Sequence, residues 1–425
     1  MSMTETSSSL TGQDAKRAAR NVTALVVASL ISKGALFIWQ LILAPWLGTF
    51  AYGIYGTVGA LIAVAGSVSS FSMGLIVIRD VAREPQKAGK YWSALMILQT
   101  VLALVAYLGM NGFAVGYSET VRAFTAIAGI NLFIDLMGNM GYDLLIAREA
   151  MLKTSVVEIV HIIIRIGLSL LALMLGWGLL GVYIAAMISG LGRTVVLVYL
   201  NWQLGVRPEF PFDHSIGIPL LINSAPLALS AFLSLAYQHA DKLMTTGILG
   251  EAGTGYLTVA FVINFGVIEL FSTTVLVAMF PLMSRYYGDG ENPMFGFMVE
   301  KLSLYMFMIS LPMALVISIY SADLTTPLFG EDFAPTAGIL SLLIWYTMVT
   351  LIGIVFSKGM LIQNRQRLLL LFRRAGLILN IVLNTILLYS WRDPRGAALA
   401  SFIAGVLLGV LLIWDFRPVG RPWQT

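Results

Sequence analysis

Long apolar stretches alternate with short polar connections along almost the whole chain. Most of these stretches are about 20 residues or longer, which is the length a helix needs to cross a hydrocarbon core about 30 Å thick. Glycines, prolines and clusters of charges separate one stretch from the next. The pattern predicts an all-α, polytopic membrane protein with about 12 transmembrane helices. We place them at residues 21–45, 53–78, 91–113, 121–146, 155–176, 178–200, 217–247, 254–281, 300–321, 335–357, 370–390 and 396–415.

The composition agrees with this interpretation. Of the 425 residues 58% are hydrophobic and only 11% are charged, whereas soluble globular proteins carry about 25% charged residues. Cysteine is absent, which excludes disulfides and zinc thiolates. The net charge of +4 comes from basic residues scattered between the spans. It therefore bears on membrane topology, and we expect no nucleic-acid partner.

The distribution of basic residues predicts the orientation in the membrane. Residues 1–20 are polar and basic, and no small-residue cleavage site follows them, so we expect a cytoplasmic tail before a retained first span. With that end inside, nearly all lysines and arginines between the spans lie on the inner side. Only Arg122, Arg392 and Arg395 lie on the outer side. Such a bias fixes insertion, and it predicts that both termini are cytoplasmic in the inner membrane.

A short glycine pattern occurs twice. LGTFAYG at 47–53 precedes the second predicted helix, and LGEAGTG at 249–255 precedes the eighth. Glycine pairs are common in short loops because glycine accepts positive φ, but the matching order suggests a duplication. We predict an N-lobe at 21–205 and a C-lobe at 206–425, related as parallel repeats around a central cleft. Alternating access is the movement that this arrangement permits.

Four ionisable residues lie near the middle of predicted spans: Lys33, Asp135, Arg165 and Glu269. Each costs about 2.5–3.5 kcal/mol at the bilayer centre, so we expect them to face the cleft and not lipid. Lys33 and Arg165 either bind an anionic group or pair with Asp135, Glu158 or Glu269. Both can hold in alternation, with a substrate anion displacing the carboxylates.

Further polar positions fall on the same predicted helices. Glu158 and His161 lie at i and i+3 before Arg165, so the three form one polar stripe on the fifth helix. Arg193 and Asp143 lie near predicted inner helix ends, where snorkelling to the interface explains them. The remaining expected cleft residues are Asn264, Asn380 and Asn384.

The stretch YQHADKLMTTGILG at 237–250 places His239, Asp241 and Lys242 in the outer third of the seventh helix. Upstream, Asn223 and Pro226 interrupt the same helix, because proline removes a backbone donor. A helix interrupted in this way can flex where it faces a cavity. The group is a candidate gate or ion site; the alternative for Lys242 is an ordinary interfacial residue.

ADKLMTTGILGEAGTGYLTVAF at 240–261 resembles the polysaccharide transporters of the multidrug/oligosaccharidyl-lipid/polysaccharide (MOP) exporter superfamily, which include O-antigen flippases. In that family an Asp-Lys pair in the seventh helix precedes a glycine-rich turn. Similar segments are spread over nearly the whole chain. They are LGTFAYGIYG at 47–56, IRDVAREPQKAGKY at 78–91, FPLMSRYYGDG at 280–290 and LFGEDFAPTAGILSLL at 328–343.

The resemblance implies two six-helix lobes and passage of an undecaprenyl-pyrophosphate-linked oligosaccharide from the inner to the outer leaflet. It also implies a cationic cleft that accepts the pyrophosphate and sugars. From the charges within the spans we assign Lys33, Arg165 and Lys242 to this binding, and we expect Asp135, Glu158, Asp241 and Glu269 to be cleft carboxylates or to couple H⁺ or Na⁺. Membrane lipids and the polysaccharide polymerase machinery are candidate partners. Lipid II flippases of this superfamily have fourteen helices, so twelve favours a surface-polysaccharide unit.

Two other functions compete with a flippase. A cation-coupled multidrug exporter would share the fold, and a membrane-embedded glycan polymerase or ligase would need a sizeable extracytoplasmic loop. The longest predicted outer loop, 321–335, is short. The chain has no GxxxxGK[ST] motif for nucleotide hydrolysis, and its three histidines are dispersed. We therefore expect a transporter without enzymatic activity, metal or cofactor.

Overall fold

The computed structural model describes residues 12–271, 277–288 and 293–416, which contain helices and no β-strand. The predicted N-terminal tail lies partly outside the described residues, and so do residues 272–276 of the predicted eighth helix. The helices are α1 Gly12–Ser70, α2 Met73–Arg83, α3 Ala88–Ala114, α4 Glu119–Ala128, α5 Ile130–Ala147, α6 Met151–Met174, α7 Gly178–Gln203, α8 His214–Leu249, α9 Glu251–Phe271, α10 Val277–Gly288, α11 Pro293–Ile319, α12 Ser321–Phe329, α13 Thr336–Ile362, α14 Gln366–Trp391 and α15 Arg395–Asp415.

The described helices account for a multi-pass membrane protein. Eleven of the described segments are long and apolar enough to cross a bilayer, and the first of them is 59 residues long. A straight helix of that length would span about 90 Å, three times the hydrocarbon core. Gly48 interrupts α1 with non-helical dihedrals, φ 72° and ψ 171°. The first segment therefore supplies two crossings, and the all-α polytopic prediction is confirmed.

Helix boundaries differ from the predicted ones where short helices were not expected. The predicted fourth helix is divided at Gly129 into α4 and α5. The predicted outer loop at 321–335 contains α12 and a 3₁₀ turn, Glu331–Phe333. Conversely, α8 continues through Pro219 and Pro226. Short helices of this kind carry too few residues for a clear periodic signal.

The Cα positions divide into two compact units. Unit 1 comprises Met1–Trp39, Val68–Tyr107 and Gly129–Ala228, and unit 2 comprises Gln40–Ser67, Leu108–Ala128 and Leu229–Thr425. Two segments of the first half of the chain, 40–67 and 108–128, thus belong to unit 2. The lobes at 21–205 and 206–425 stay a prediction. The two units are described separately below.

In unit 1, α7 packs against both α5 and α6. The turn between α6 and α7 is tight because Gly176 and Gly178 take positive φ values of 79° and 54°. Further along, Asn201 is fully buried and donates from Nδ2 to the carbonyl oxygens of Gly141 and Leu197, both at 2.9 Å. These contacts fix the faces that α5 and α7 present to each other.

In unit 2, α13 packs against α9, α11 and α15, and α14 packs against α15. One end of this bundle is filled by an apolar core that includes Phe295, Val299 and Phe416. Residues 108–128 belong to the same unit through Tyr117, whose hydroxyl donates to the Leu243 carbonyl at 3.1 Å. Burial raises the pKa of Tyr117 to about 12, so this hydroxyl keeps its proton.

The two copies of LGxxxxG pack against each other inside unit 2. Gly48 and Gly250 share a positive φ, 72° and 83°. A Cβ on Gly53 would overlap the carbonyl oxygen of Glu251, and a Cβ on Gly255 would overlap that of Thr49. Thr49 precedes Gly53 in the first copy by the same number of residues as Glu251 precedes Gly255 in the second. Each copy therefore contacts the other through the same two positions, and the contact is reciprocal. We call this contact the glycine crossing, and it shows that the two copies occupy equivalent backbone positions.

Candidate functional site

Unit 1 brings together polar side chains from three consecutive helices. On α5, Asp135, Asn139 and Asp143 recur every four residues and so lie along one face. On α6, Glu158 begins the polar stripe expected from the sequence, and α7 contributes Arg193. The unit 1 charge cluster consists of Asp135, Asn139, Asp143, Glu158, His161, Arg165 and Arg193.

Arg193 is the centre of this cluster. Its side chain is only 9% exposed, and its Nη2 lies 2.6 Å from Glu158 Oε1. Nε donates to the same oxygen at 2.7 Å, and Nη2 donates to Asn139 Oδ1 at 3.0 Å. The guanidinium also lies 6.0 Å from the centre of the Tyr142 ring. Arg193 therefore does not snorkel to the interface as expected: it joins α5, α6 and α7 through a half-buried carboxylate.

The other charged residues of the cluster interact with one another electrostatically. Asp135 is exposed at the side-chain level and interacts electrostatically with Arg165, Arg193 and Glu158. His161 is half-buried near the two guanidinium groups. Glu158 was one of three carboxylates considered as partners of Lys33 or Arg165, and in the structure it pairs with Arg193. Arg165 thus shares the cluster without a direct ion pair to Glu158.

Three other candidates of unit 1 lie at exposed positions. Lys33 is exposed on α1, and Asn223 and Pro226 are exposed on the first part of α8. Exposure in a membrane protein means contact with lipid or with a water-filled space. The roles of these residues in binding and gating stay predictions.

Unit 2 contains a different kind of site around Asp241 on α8. The residue is 2% exposed, and its Oδ1 accepts hydrogen bonds from Asn380 Nδ2 at 2.9 Å and Asn384 Nδ2 at 2.7 Å. Ser401 on α15 donates a short hydrogen bond to Oδ2. We call these four residues the Asp241 site. Asn380 and Asn384 are fully buried, so they hold a carboxylate instead of lining open space.

The donors of the Asp241 site are all neutral. Three side chains from two other helices donate hydrogen bonds to this one carboxyl group. Among the described residues, Asp241 forms no ion pair. The Oδ1 of Asn384 is buried without a hydrogen-bond partner. An amide carries an oxygen on one side and a nitrogen on the other. Rotation of the Asn384 amide would therefore bring its oxygen beside the Asp241 carboxyl group, where both could be ligands of a cation.

The other candidate residues of α8 and α9 are not among the hydrogen-bond partners of Asp241. Lys242 is half-buried, with Nζ 5.6 Å from the centre of the Phe261 ring. His239 is half-buried, and its Nδ1 has no hydrogen-bond partner. Glu269 on α9 is half-buried. Asn264 on the same helix is fully buried, so it does not face a cleft as expected.

Several residues of these two sites were not found from the sequence. Asn139 follows Asp135 at i+4, a spacing that could have identified it. Arg193 was assigned to an interface because its predicted helix ended at residue 200, whereas α7 continues to Gln203. Ser401 carried no signal, because a hydroxyl in an apolar helix most often serves close packing.

A comparison with known families places the chain. The model of a family described as polysaccharide biosynthesis protein matches residues 42–338. The relative named "Probable low-salt glycan biosynthesis flippase Agl15", from Haloferax volcanii, is 20% identical over 406 residues, which are 92% of this chain and 82% of that protein.

Solved structures share the fold. "Lipid II flippase MurJ, inward closed conformation" superposes with a TM-score of 0.73 at 14% identity, covering 92% of this chain and 87% of that one. An inward-facing multidrug resistance MATE family transporter of the MOP superfamily gives 0.68 at 14% identity, covering 89% and 93%. The predicted resemblance to the MOP superfamily is confirmed, and these relatives are transporters.

Proposed function

Because the chain belongs to the family of polysaccharide biosynthesis proteins, we propose that it is a flippase for a lipid-linked oligosaccharide. Its substrate is an undecaprenyl-pyrophosphate-linked unit of a surface polysaccharide, moved from the inner to the outer leaflet of the cytoplasmic membrane. Both termini face the cytoplasm, in keeping with the placement of basic residues. The family match supports a role in polysaccharide biosynthesis, and the name of the archaeal relative supports a flippase.

The observation that carries this proposal is the unit 1 charge cluster. Ionised groups at membrane depth are costly unless they are paired or face a polar space. Arg165 lies in this cluster beside an exposed carboxylate, Asp135. A pyrophosphate has acceptor oxygens that suit a guanidinium fork. We propose that the pyrophosphate takes the place of Asp135 beside Arg165, and that Lys33 supplies a second positive charge.

The test replaces each cation singly. Lys33→Gln and Arg165→Gln are expected to abolish surface polysaccharide export in cells that depend on this protein, while its amount in the membrane is unchanged. Lys153→Gln is the matched control, because Lys153 is exposed on the same helix as Arg165. Flipping is measured in proteoliposomes by the access of an impermeant lectin to a fluorescent lipid-linked oligosaccharide. Wild-type flipping by both variants rejects the proposal.

We further propose that the Asp241 site couples transport to a small cation, Na⁺ or H⁺. A buried carboxyl group that contacts only neutral donors and an amide oxygen of Asn384 without a hydrogen-bond partner support this role. Lys242 acts as the neighbouring cation that responds when the charge of Asp241 changes. The double variant Asp241→Asn, Lys242→Gln should lose the dependence of flipping on an imposed Na⁺ or proton gradient. Unchanged gradient-driven flipping speaks against coupling here.

The second candidate function is a cation-coupled multidrug exporter. It is favoured by the carboxyl groups of Asp135, Asp143 and Glu158, which outnumber the guanidinium groups of Arg165 and Arg193 in the unit 1 charge cluster. An exporter would accumulate a cationic dye in inside-out vesicles and lose this activity in Asp135→Asn. A flippase would leave the dye untouched and move the lipid-linked oligosaccharide. The two assays on one preparation separate the candidates.

A further inference from the structure

Besides the Asp241 site, unit 2 contains a cavity with one charged side chain, that of Arg373. Helices α8, α13, α14 and α15 enclose a cavity of about 160 Å³. Its polar lining includes Ser234, Gln238, Thr350 and Arg373, and the rest of the wall is mostly apolar. On this measure a space of about 10–15 Å³ holds one water, so the cavity has room for a group as large as a phosphate.

Arg373 is the charged residue of this cavity. It lies on α14, is half-buried, and donates from Nη1 to Ser234 Oγ at 2.7 Å. Among the described residues no carboxylate lies within ion-pair distance of it. Since a guanidinium has five N–H donors, the bond to Ser234 leaves most of them for other acceptors.

Two other arginines in or beside membrane-spanning helices have carboxylate partners. Arg193 is paired with Glu158 at 2.6 Å, and Arg365, at the start of the same helix region as Arg373, is paired with Asp415 at 2.6 Å. An unpaired half-buried guanidinium is costly at membrane depth. The cost is offset if an anion from outside the chain occupies the cavity.

We propose that this cavity binds a phosphate group, with Arg373 as its anchor. Phosphate oxygens accept paired N–H donors from guanidinium, and the hydroxyls of Ser234 and Thr350 and the amide of Gln238 add neutral donors. The apolar walls from Ile354 and Leu408 suit the first carbons of an attached chain. The ligand class is a phosphate monoester or diester on an alkyl or prenyl chain, or free phosphate. That a lipid carrier is the physiological source rests on the proposed function; the binding itself does not.

The experiment measures binding without transport. The full-length protein in nanodiscs is titrated with hexyl phosphate, inorganic phosphate or the uncharged hexanol, and binding is followed calorimetrically. Wild type is expected to bind hexyl phosphate and not hexanol. Arg373→Gln should weaken this binding about tenfold or more, because charge-assisted hydrogen bonds are lost. Arg374→Gln is the matched control: this neighbour on α14 is exposed, and binding should change less than about twofold.

Two further variants keep the test independent of folding. Arg373→Lys retains the charge and should restore part of the affinity, and Ser234→Ala should weaken binding severalfold by freeing the guanidinium. Each variant is checked for a monodisperse profile and unchanged helix content. Equal, Arg373-dependent binding of inorganic phosphate supports the site and assigns it to free phosphate; binding of hexyl phosphate alone assigns it to a lipid.

The proposal is overturned by wild-type affinity in Arg373→Gln, by an equal loss in Arg374→Gln, or by no binding of either phosphate to wild type. Failure here leaves the flipping assays of the Lys33 and Arg165 variants unaffected. Failure of those assays likewise leaves the calorimetric result standing, so the two proposals fail separately.

Discussion

Arg193 in unit 1 and Asp241 in unit 2 are both nearly buried within helices that cross the membrane, and the structure stabilises their charges in different ways. Arg193 is held by an opposite charge, the Glu158 carboxylate at 2.6 Å. Asp241 is held by neutral groups, the side chains of Asn380, Asn384 and Ser401. The first arrangement sets an opposite charge against the guanidinium, and the second surrounds a carboxyl group with neutral hydrogen-bond donors.

The difference bears on what each unit can bind. In unit 1 a ligand must displace an internal partner, so binding and the breaking of an ion pair are coupled. In unit 2 the side chains that hydrogen-bond Asp241 are neutral, so a ligand there would break no ion pair of Asp241. An internal ion pair is what a resting state would contain if the substrate breaks it on binding. Neutral hydrogen-bond donors around a carboxyl group leave that group available to a counter-ion. The following predictions test this contrast.

The largest effect is expected from removing one half of the unit 1 pair. Glu158→Leu removes the carboxylate that contacts the buried Arg193, and breaking a buried pair in this way typically costs about 3–5 kcal/mol. Thermal unfolding of the purified protein should show a marked loss. In Glu158→Leu, Arg193→Leu most of the stability should return, because both charges are gone. If the double variant is no more stable than the single one, Arg193 is not compensated mainly by Glu158.

The next effect concerns the segment 40–67, which forms part of unit 2. Gly255→Ala places a methyl group against the Thr49 carbonyl oxygen in the glycine crossing. Because this neighbour is backbone, the two helices must separate, and overpacking of this kind costs about 1–3 kcal/mol. Gly59→Ala on α1 is the control, since a Cβ there meets nothing within 4 Å. Equal unfolding temperatures for the two variants would show that the crossing does not hold the segment in unit 2.

A comparable or smaller loss is expected from Asp241→Asn. The variant keeps the shape but places an amide among three hydrogen-bond donors, so at least one buried donor loses its acceptor, at about 1–3 kcal/mol. Asn384→Asp in the same background restores an acceptor and should recover part of the stability. Calorimetric unfolding of the single and double variants measures the difference. No loss in Asp241→Asn would mean that the carboxylate is already protonated in the folded protein.

The sequence predicted the fold better than the sites. Apolar stretches and basic connections were enough for the helices, since each crossing needs a long continuous signal. The matching glycines at 47–53 and 249–255 led to the equivalence that the glycine crossing shows. In the Asp241 site, Asp241, Asn380 and Asn384 were singled out because amides and carboxylates are rare in such helices.

The partners of these residues could not be predicted, because they depend on how helices far apart in sequence face each other. Ser401 is one hydroxyl in a helix of small residues, and nothing local marks it as a donor to Asp241. Arg373 counted only as one more basic residue near an inner helix end. Whether such a residue reaches the interface or turns into a cavity is decided by packing in three dimensions.

The smallest effect is expected from an exposed ion pair of unit 1 between the start of α3 and the connection before α8. Lys90 Nζ lies 3.1 Å from Asp213 Oδ2, with side chains 46% and 26% exposed. Exposed pairs of this kind contribute little and are screened by salt. Lys90→Gln should therefore unfold at nearly the wild-type temperature, and the residual difference should vanish at high ionic strength, in contrast to Glu158→Leu.

The pH dependence of this pair has a definite sign. Hydrogen bonds from Ser215 and then Lys90 hold the pKa of Asp213 below its usual value of 3.8. The contribution to stability is therefore fully present above about pH 4 and is lost as pH falls below it. Between pH 5 and 8 the difference between wild type and Lys90→Gln should stay constant in thermal unfolding. A difference that grows with pH across that window would mean that a group other than Asp213 responds to the loss of Lys90. The difference between charges held by an opposite charge and charges held by neutral groups would then also apply to the connection before α8, where Asp213 lies.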